Sequence, residues 1–268
     1  MITRSCKGAL TAGRCITALL LPLCLIACGG PELSAWHQAQ LDSEFSASHT
    51  QGIATFQDYL DLEDVVFTQL DQQVYEHTDT GPKHALERYS RGSMADPGQR
   101  NPNWNRSFEL ASDDPVGGVL LLHGMSDSPY SLRALGETLQ REGFQVLGAR
   151  MPGHGTAPSG LLNVRWQDMS AVVRLGMSHL ADRVGDRPIH IVGYSTGAAL
   201  ALDYALQAEQ GSATPTPASL VLISPAVGLS PAAALAKWSR RLSHIPGLGR
   251  LAWLDVAPEF DPYKYNSF

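Results

Sequence analysis

The sequence predicts an α/β protein with a doubly wound, mostly parallel sheet, and two observations lead to this fold class. Between residues 116 and 224, short apolar runs alternate with segments whose apolar residues recur at helical spacing. One run, Ile189–Val192, passes through Gly193-Tyr194-Ser195-Thr196-Gly197 directly into the helix-forming residues Ala198–Leu202. Strands that alternate with helices in this way pair in parallel, so any site is expected at the carboxyl ends of the strands.

Composition limits the classes of protein and of partner. With 268 residues, 44% of them hydrophobic, the chain can bury a large core, as one α/β domain or as a domain with an appendage. The net charge of −6 and the lack of any Lys/Arg run argue against nucleic acid. All four cysteines lie within the first 28 residues, which excludes a disulfide framework in the folded part and argues against a Cys/His metal site.

The first residues have the features of a targeting segment. Arg4, Lys7 and Arg14 provide positive charge, and the apolar stretch from Ile16 to Ala27 is too short to span a bilayer. The tetrapeptide Leu25-Ile26-Ala27-Cys28 resembles a bacterial lipobox. This predicts a lipoprotein signal peptide over residues 1–27, cleavage before Cys28 and lipidation of its thiol. An ordinary secretory signal and a short buried helix are the alternatives.

The residue after Cys28 indicates the expected subcellular location. Gly29 stands where an acidic residue would resemble an inner-membrane retention signal. The expected location is therefore the bacterial cell envelope, with a lipid anchor in the outer membrane.

Residues 28–105 are predicted to form an N-terminal helical extension followed by a connector. From Leu33 to about Val74 apolar residues recur at helical spacing, which indicates one or two amphipathic helices. Packing on the following domain is favoured over binding a partner. From His77 to Asn105, turn signals predict a long connector that Tyr89 and Trp104 hold against the domain. The apolar helical positions are Phe56, Tyr59, Leu60, Val66 and Leu70, and the histidines His37, His49, His77 and His84 are expected at the surface.

The predicted core covers residues 106–230. Its strands are Arg106–Leu110, Val116–Leu122 at the centre, Phe144–Ala149, Ile189–Val192 and Leu220–Ser224. Ser128 is expected to cap and Pro129 to start a helix that ends at Gly143. The apolar face of this helix is Leu132, Leu135 and Leu139. The apolar face of the next helix is Trp166, Met169, Val172, Val173, Met177 and Leu180. The helix after Ser195 is expected to end near Gly211.

The segment around Ser195 has the pattern of a nucleophile elbow, G-x-S-x-G. A strand that turns abruptly into a helix strains the central residue, brings strand and helix close together and requires small flanking residues, here Gly193 and Gly197. His123-Gly124 ends the central strand at the same sheet edge, where backbone N–H groups could stabilise an oxyanion. An ordinary glycine-rich turn is the alternative to this acyl-transfer site.

Three segments carry a family resemblance: Leu121–Gly124, Pro152–Gly155 and Gly193–Gly197. In this order and spacing they resemble an α/β-hydrolase of the serine aminopeptidase, monoacylglycerol lipase and bacterial carboxylesterase type, over roughly residues 106–230. The resemblance implies Ser195 as nucleophile, the backbone N–H groups of Met125 and Thr196 as oxyanion donors, and His123 and His154 as loop-shaping residues. It also implies a small-molecule ester, lipid or peptide substrate, with no cofactor and no metal.

The chain departs from this family after Ser224. The fold places the triad acid and histidine after later strands, but residues 231–268 contain an Ala-rich helix and an aromatic ending that resemble a lid. His244 is interpreted as a surface or capping residue, and Asp203, Asp255 and Asp261 have no clear claim to be the triad acid. We therefore expect a C-terminally truncated hydrolase whose remaining core is missing, and which is inactive and poorly soluble alone.

Two functions remain open at this point. The first is a lipid-anchored serine hydrolase that works through an acyl-enzyme on Ser195. An ester is the favoured substrate, with a peptide or amide bond as the alternative. The second is a catalytically incomplete lipoprotein that keeps the hydrolase scaffold as a binding or structural module.

Overall fold

The computed structural model describes residues 33–48 and 52–228. Several predicted features lie outside these residues: the signal peptide 1–27, Cys28, His49 and the lid-like segment 231–268 with His244, Asp255 and Asp261. The boundaries predicted at residues 28 and 231 stay predictions.

The described residues form one five-stranded sheet. Its strands are β1 (Phe108–Leu110), β2 (Gly117–Leu122), β3 (Phe144–Ala149), β4 (Ile189–Tyr194) and β5 (Ser219–Ile223), in the spatial order β1-β3-β2-β4-β5. β2 lies between β3 and β4 and is parallel to both, β5 is parallel to β4, and β1 is antiparallel to β3. The predicted mostly parallel sheet with a central β2 is thus confirmed.

Helices cover both faces of this sheet. Their bounds are α1 (Ala35–Gln38), α2 (Phe56–Gln73), α3 (Arg133–Arg141), α4 (Trp166–Val184) and α5 (Thr196–Glu209). Leu120, Leu147 and Ile191 face a core that α4 and α5 supply with residues such as Val173 and Leu200. The alternate residues of the same strands, Val119, Leu121, Val146 and Val192, face a second core under α3. The period of two along each strand therefore supplies two apolar layers.

The helix before β3 begins differently from the prediction. Pro129–Leu132 form a 3₁₀ turn, and α3 starts only at Arg133. The side chain of Ser128 makes no capping hydrogen bond, and its buried hydroxyl has no partner among the described residues. Gly143 ends the segment as predicted, with a positive φ of 92°.

Two residues assigned to apolar helix faces point elsewhere. Leu135 is exposed, whereas its neighbour Gly136 is buried and faces the sheet. A Cβ at Gly136 would lie 3.0 Å from Leu121 Cδ1, so α3 approaches the sheet through a glycine and turns Leu135 to solvent. Trp166 is also exposed, and its indole N–H donates a hydrogen bond of 3.3 Å to Asp203 on α5.

The N-terminal extension packs on the α/β core as predicted. Phe45, Phe56 and Tyr59 join the core beneath α4, with the rings of Phe45 and Tyr59 edge to face at 5.5 Å. A second cluster joins Trp36, Val66, Leu70 and Tyr89 to Ala157, and thus the connector to the loop after β3. α2 begins with a capping box in which Thr55 and Asp58 exchange hydrogen bonds.

Two of the histidines predicted at the surface are only partly exposed to solvent. His77 is exposed, while His37 and His84 are half-buried. None of the helices within residues 33–48 and 52–228 combines the length and apolarity needed to cross a membrane.

Candidate active site

Ser195 lies at the turn between β4 and α5 in a strained conformation. Its φ of 52° and ψ of −111° fall in a region that residues with a side chain rarely adopt. Such strain persists only where the surrounding structure holds it, and it is common at functional sites. Here the Ser195 N–H donates to Ile223 O at 2.9 Å, and the Ser195 carbonyl accepts from Ala226 N at 3.1 Å. β5 and the residues after it therefore hold the elbow.

The two glycines of the elbow are required by close backbone contacts. A Cβ at Gly193 would lie 2.4 Å from the carbonyl oxygen of Gly197. A Cβ at Gly197 would lie 2.1 Å from the carbonyl oxygen of Leu122 on β2. Since real Cβ atoms do not approach backbone this closely, both positions must be glycine, as the sequence pattern predicts.

The loop after β2 lies against this elbow. A Cβ at Gly124 would lie 3.0 Å from the Tyr194 ring and 3.4 Å from Ser195 Cβ. The predicted convergence of the two motifs at one sheet edge is thus present in the structure.

Two backbone N–H groups near Ser195, those of Met125 and Thr196, have no acceptor within residues 33–48 and 52–228. Thr196 is the first residue of α5, and the first N–H groups of a helix have no intrahelical acceptor. Met125 follows Gly124 in the adjoining loop, and the residue is 53% exposed. Among the described residues, neither the Met125 N–H nor the Thr196 N–H donates a hydrogen bond. These N–H groups are available to an anion at the helix N-terminus.

His123 is buried between two loops and both ring nitrogens are occupied. Nδ1 lies 2.8 Å from Gly124 O, and Nε2 lies 3.0 Å from the backbone nitrogen of Met151. Because the Met151 N–H can only donate, Nε2 must accept and the proton must sit on Nδ1. Burial, together with the neighbouring His154, holds the pKa of His123 well below its usual value. The ring is therefore neutral and fixed in one tautomer, as suits a loop-shaping residue.

His154 is buried beside His123, with their rings 5.1 Å apart. Its Nδ1–H donates to Pro152 O at 2.9 Å, which shapes its own loop, while Nε2 meets no hydrogen-bond partner in the described part of the chain. Burial lowers the pKa of His154, so this ring is neutral as well.

A buried ion cluster that the sequence did not predict lies next to this site. Arg150, directly after β3, is fully buried. Its guanidinium forms two hydrogen bonds with Glu44, of 2.9 and 3.0 Å, and one of 3.0 Å with Glu63. An arginine that ends a buried apolar strand needs such partners, and this signal is visible in the sequence. The partners themselves lie in the extension, far away along the chain.

The charges of this cluster reinforce one another. Burial alone would lower the pKa of Arg150, but Glu44 and Glu63 raise it well above its usual value. Burial alone would raise the pKa of Glu44, but the Arg150 guanidinium brings it below its usual value. Both groups are thus charged at neutral pH.

The described residues do not supply a triad for Ser195. Its hydroxyl makes no hydrogen bond to a histidine in residues 33–48 and 52–228. Asp203 accepts hydrogen bonds from Ser170 and Gln207, which places it in a polar cluster between α4 and α5. No group of three or more His, Cys, Asp or Glu side chains suited to a metal ion occurs among these residues either.

Comparison with known families decides the relationship. A profile of the serine aminopeptidase family S33 matches residues 113–253, more than half of the chain, and includes the elbow and both histidine loops. The chain belongs to this family. The predicted α/β-hydrolase relationship and the predicted α/β-hydrolase fold are thereby confirmed.

Individual relatives of this S33 family member match shorter stretches. A thermostable monoacylglycerol lipase of Bacillus sp. (strain H-257) is 36% identical over 92 residues, which are 34% of this chain and 36% of that lipase. One of the metagenome-derived lipolytic enzymes LipS and LipT is 28% identical, with a TM-score of 0.44 over 53% of this chain and 52% of that one. The monoacylglycerol lipase of Paleococcus ferrophilus is 21% identical, with a TM-score of 0.40 over 52% and 51%. The chain thus spans about a third to a half of the length of these proteins.

Proposed function

We propose that this chain carries the nucleophile and the oxyanion hole of a lipid-anchored serine hydrolase that cleaves carboxylic esters. The observation that carries the proposal is the strained Ser195 beside two backbone N–H groups, of Met125 and Thr196, that are unpaired among the described residues. An acyl-transfer enzyme needs this combination, because charge develops on the carbonyl oxygen as the nucleophile attacks.

The chemistry proceeds through an acyl-enzyme. Ser195 Oγ attacks the carbonyl carbon of the ester while a general base takes its proton. The carbonyl oxygen becomes an oxyanion that accepts hydrogen bonds from the Met125 and Thr196 N–H groups. The intermediate then expels the alcohol, which takes the proton from the base, and a water molecule releases the acid by the same steps in reverse. We expect the base and its acidic partner from outside the described residues.

The relatives support the proposed substrate class. The stretch that is 36% identical to a monoacylglycerol lipase favours an ester with an acyl chain over a peptide bond. The exposed Met125 side chain, next to the N–H that would bind the oxyanion, gives an apolar contact for such a chain.

We propose Cys28 as the site of the lipid anchor. The proposed location is the bacterial cell envelope, at the outer membrane. The lipobox Leu25–Cys28 after a positively charged, apolar leader supports this. An anchored esterase would meet its substrates at a membrane surface.

The experiment is labelling of the full-length gene product with a fluorophosphonate, which reacts with an activated serine. We expect labelling in the parent, none in Ser195→Ala, and unchanged labelling in Ser212→Ala, a control at an exposed loop serine. Labelling that survives in Ser195→Ala would contradict the assignment of the nucleophile.

A non-catalytic scaffold is the second candidate function. It is favoured by one observation, namely that Ser195 meets no histidine among the described residues. The same experiment separates the two, because a folded parent protein that takes up no label at Ser195 supports the scaffold.

A further inference from the structure

Side chains of the N-terminal extension hold the backbone of the loop Arg150–Thr156. The Tyr59 hydroxyl donates to Arg150 O at 2.7 Å, and the Tyr89 hydroxyl donates to Thr156 O at 3.0 Å. Arg88 donates to Gly155 O at 3.2 Å. These carbonyls are buried, and each would cost free energy if it were left without a partner. The conformation of the loop is therefore set by residues that precede the sheet.

Arg150 connects this loop internally to the same extension. Its guanidinium is held by the carboxylates of Glu44 and Glu63 and also donates to His154 O at 3.1 Å. The two parallel hydrogen bonds to Glu44 fix the plane of the guanidinium as well as its position. Ser107, on the chain just before β1, accepts from Arg150 N and donates to Glu63. Carboxylates, guanidinium and loop thus form one continuous buried unit.

The loop in turn fixes His123. The Met151 N–H, one residue after Arg150, donates to His123 Nε2, and His123 Nδ1–H donates to Gly124 O. The Gly124 carbonyl and the Met125 N–H belong to the same planar trans peptide group, so they point in opposite directions. Whatever fixes the Gly124 oxygen therefore fixes the direction of the Met125 N–H.

We infer that Glu44 and Glu63 are positioning residues for the oxyanion hole, acting through Arg150, Met151 and His123 on the Gly124-Met125 peptide. The inference rests on the proposed function in one respect, the role of the Met125 N–H. Both glutamates act through their ion pairs with Arg150. The N-terminal extension accordingly helps to position the active site, in addition to its contribution to the core.

A purely structural ion cluster would give a different result on mutation. It would change the stability of the fold and leave the geometry around His123 unaltered in the molecules that remain folded. The informative measurements are therefore made on folded protein, at the Met151 amide and the His123 imidazole.

The test compares Glu44→Gln and Glu44→Asp in the full-length gene product, with Glu76→Gln as a matched control at an exposed carboxylate of the extension. We expect Glu44→Gln to speed hydrogen exchange of the Met151 amide by about tenfold or more and to shift the imidazole nitrogen resonances of His123 away from the Nδ1–H tautomer. Glu44→Asp should restore both in part, because it keeps the charge. Glu76→Gln should match the parent.

Ester hydrolysis supplies the second measurement. A misplaced donor lowers transition-state binding, so kcat should fall by about 10- to 100-fold in Glu44→Gln while KM changes little. Tyr59→Phe removes only the hydrogen bond to Arg150 O and covers the case in which Glu44→Gln does not fold. It should show the same changes to a smaller extent.

The outcomes separate the two proposals. If folded Glu44→Gln and Tyr59→Phe leave the Met151 amide and the His123 resonances as in the parent, the positioning inference is wrong. If the variants change the Met151 amide exchange and the His123 resonances but the parent takes up no fluorophosphonate and hydrolyses no ester, the positioning inference stands and the proposed function is wrong.

Discussion

At the residue scale, the two buried histidines bring a chemical constraint to the site. His123 needs an unprotonated Nε2 to accept from Met151, and burial supplies this by holding its pKa well below the usual value. His154 is neutral for the same reason. Neither ring is arranged as a general base, since His123 has no free nitrogen and His154 is enclosed beside it.

This burial predicts a pH dependence of stability. Just below about pH 6.5 the unfolded chain binds protons at these histidines more readily than the native state, in which burial lowers the pKa of both rings. The free energy of unfolding should be highest above that pH and fall as the pH drops, by up to about 1.4 kcal/mol per pH unit for each histidine. Urea unfolding between about pH 7.5 and 5.5 measures the slope, because ordinary carboxylates stay ionised in this range.

Two variants test the origin of that slope. His123→Gln should reduce it, since glutamine does not titrate. His77→Gln, at an exposed histidine, should leave it as in the parent. An unchanged slope in His123→Gln would show that His123 is not held neutral by the fold.

At the element scale, the contact between β2 and α5 determines where Ser195 lies. β4 enters the elbow beside the central strand β2, and α5 leaves it so close to β2 that Gly197 touches the Leu122 carbonyl. The hydroxyl of Ser195 is thereby presented at the sheet edge, beside the loop that follows β2. A strand and a helix joined by ordinary residues could not pack this closely.

Gly197→Ala tests this close packing. Alanine favours a helix over glycine by about 1 kcal/mol, but the new methyl group would lie 2.1 Å from a backbone oxygen that cannot move without the central strand. Overpacking of this kind costs about 1–3 kcal/mol or more, so the clash should win and the free energy of unfolding should fall.

Gly228→Ala is the control for Gly197→Ala. Gly228 has no positive φ, and an added methyl group would lie more than 4 Å from the atoms of the other residues that the structure describes, apart from its neighbours in the chain. Thermal melts of the two variants and the parent measure the difference. A melting temperature for Gly197→Ala equal to that of the parent would mean that α5 and β2 are not in this close contact.

At the scale of the whole molecule, the extension and the α/β core share their interior. The aromatic residues Phe45, Phe56 and Tyr59 pack under α4, and the Glu44, Glu63 and Arg150 cluster lies between the extension and the loop after β3. The proposed anchor at Cys28 therefore precedes a segment that is fixed to the sheet.

The anchor itself is tested by Cys28→Ser. Two acyl chains on a lipidated cysteine are sufficient for stable membrane attachment, where one chain is marginal. We expect Cys28→Ser to accumulate as uncleaved precursor or to leave the membrane fraction, as measured by cell fractionation and mass spectrometry. Cys24→Ser, a matched change within the same apolar leader, should still be processed and fractionate with membranes. Processed Cys28→Ser protein in the membrane fraction would rule out the lipobox.

The sequence by itself determined the succession of strands and helices along the chain and the position of the nucleophile elbow. These features depend on local chemistry: the short apolar runs of β2 and β4, the helical spacing in α2 and α4, and two glycines that only a tight turn requires. The sequence pattern also predicted that the two motifs meet, because the carboxyl ends of parallel strands share one edge.

Only the tertiary structure decided which residues face each other. Leu135 fits the apolar stripe of α3, yet Gly136 faces the sheet, because the short distance between helix and strand leaves no room for a side chain there. Glu44 and Glu63 stand 106 and 87 residues away from Arg150 in the sequence, and nothing local marks them as its partners. A buried guanidinium requires carboxylates, but which ones it meets depends on how distant segments fold together, and short-range patterns do not contain that information.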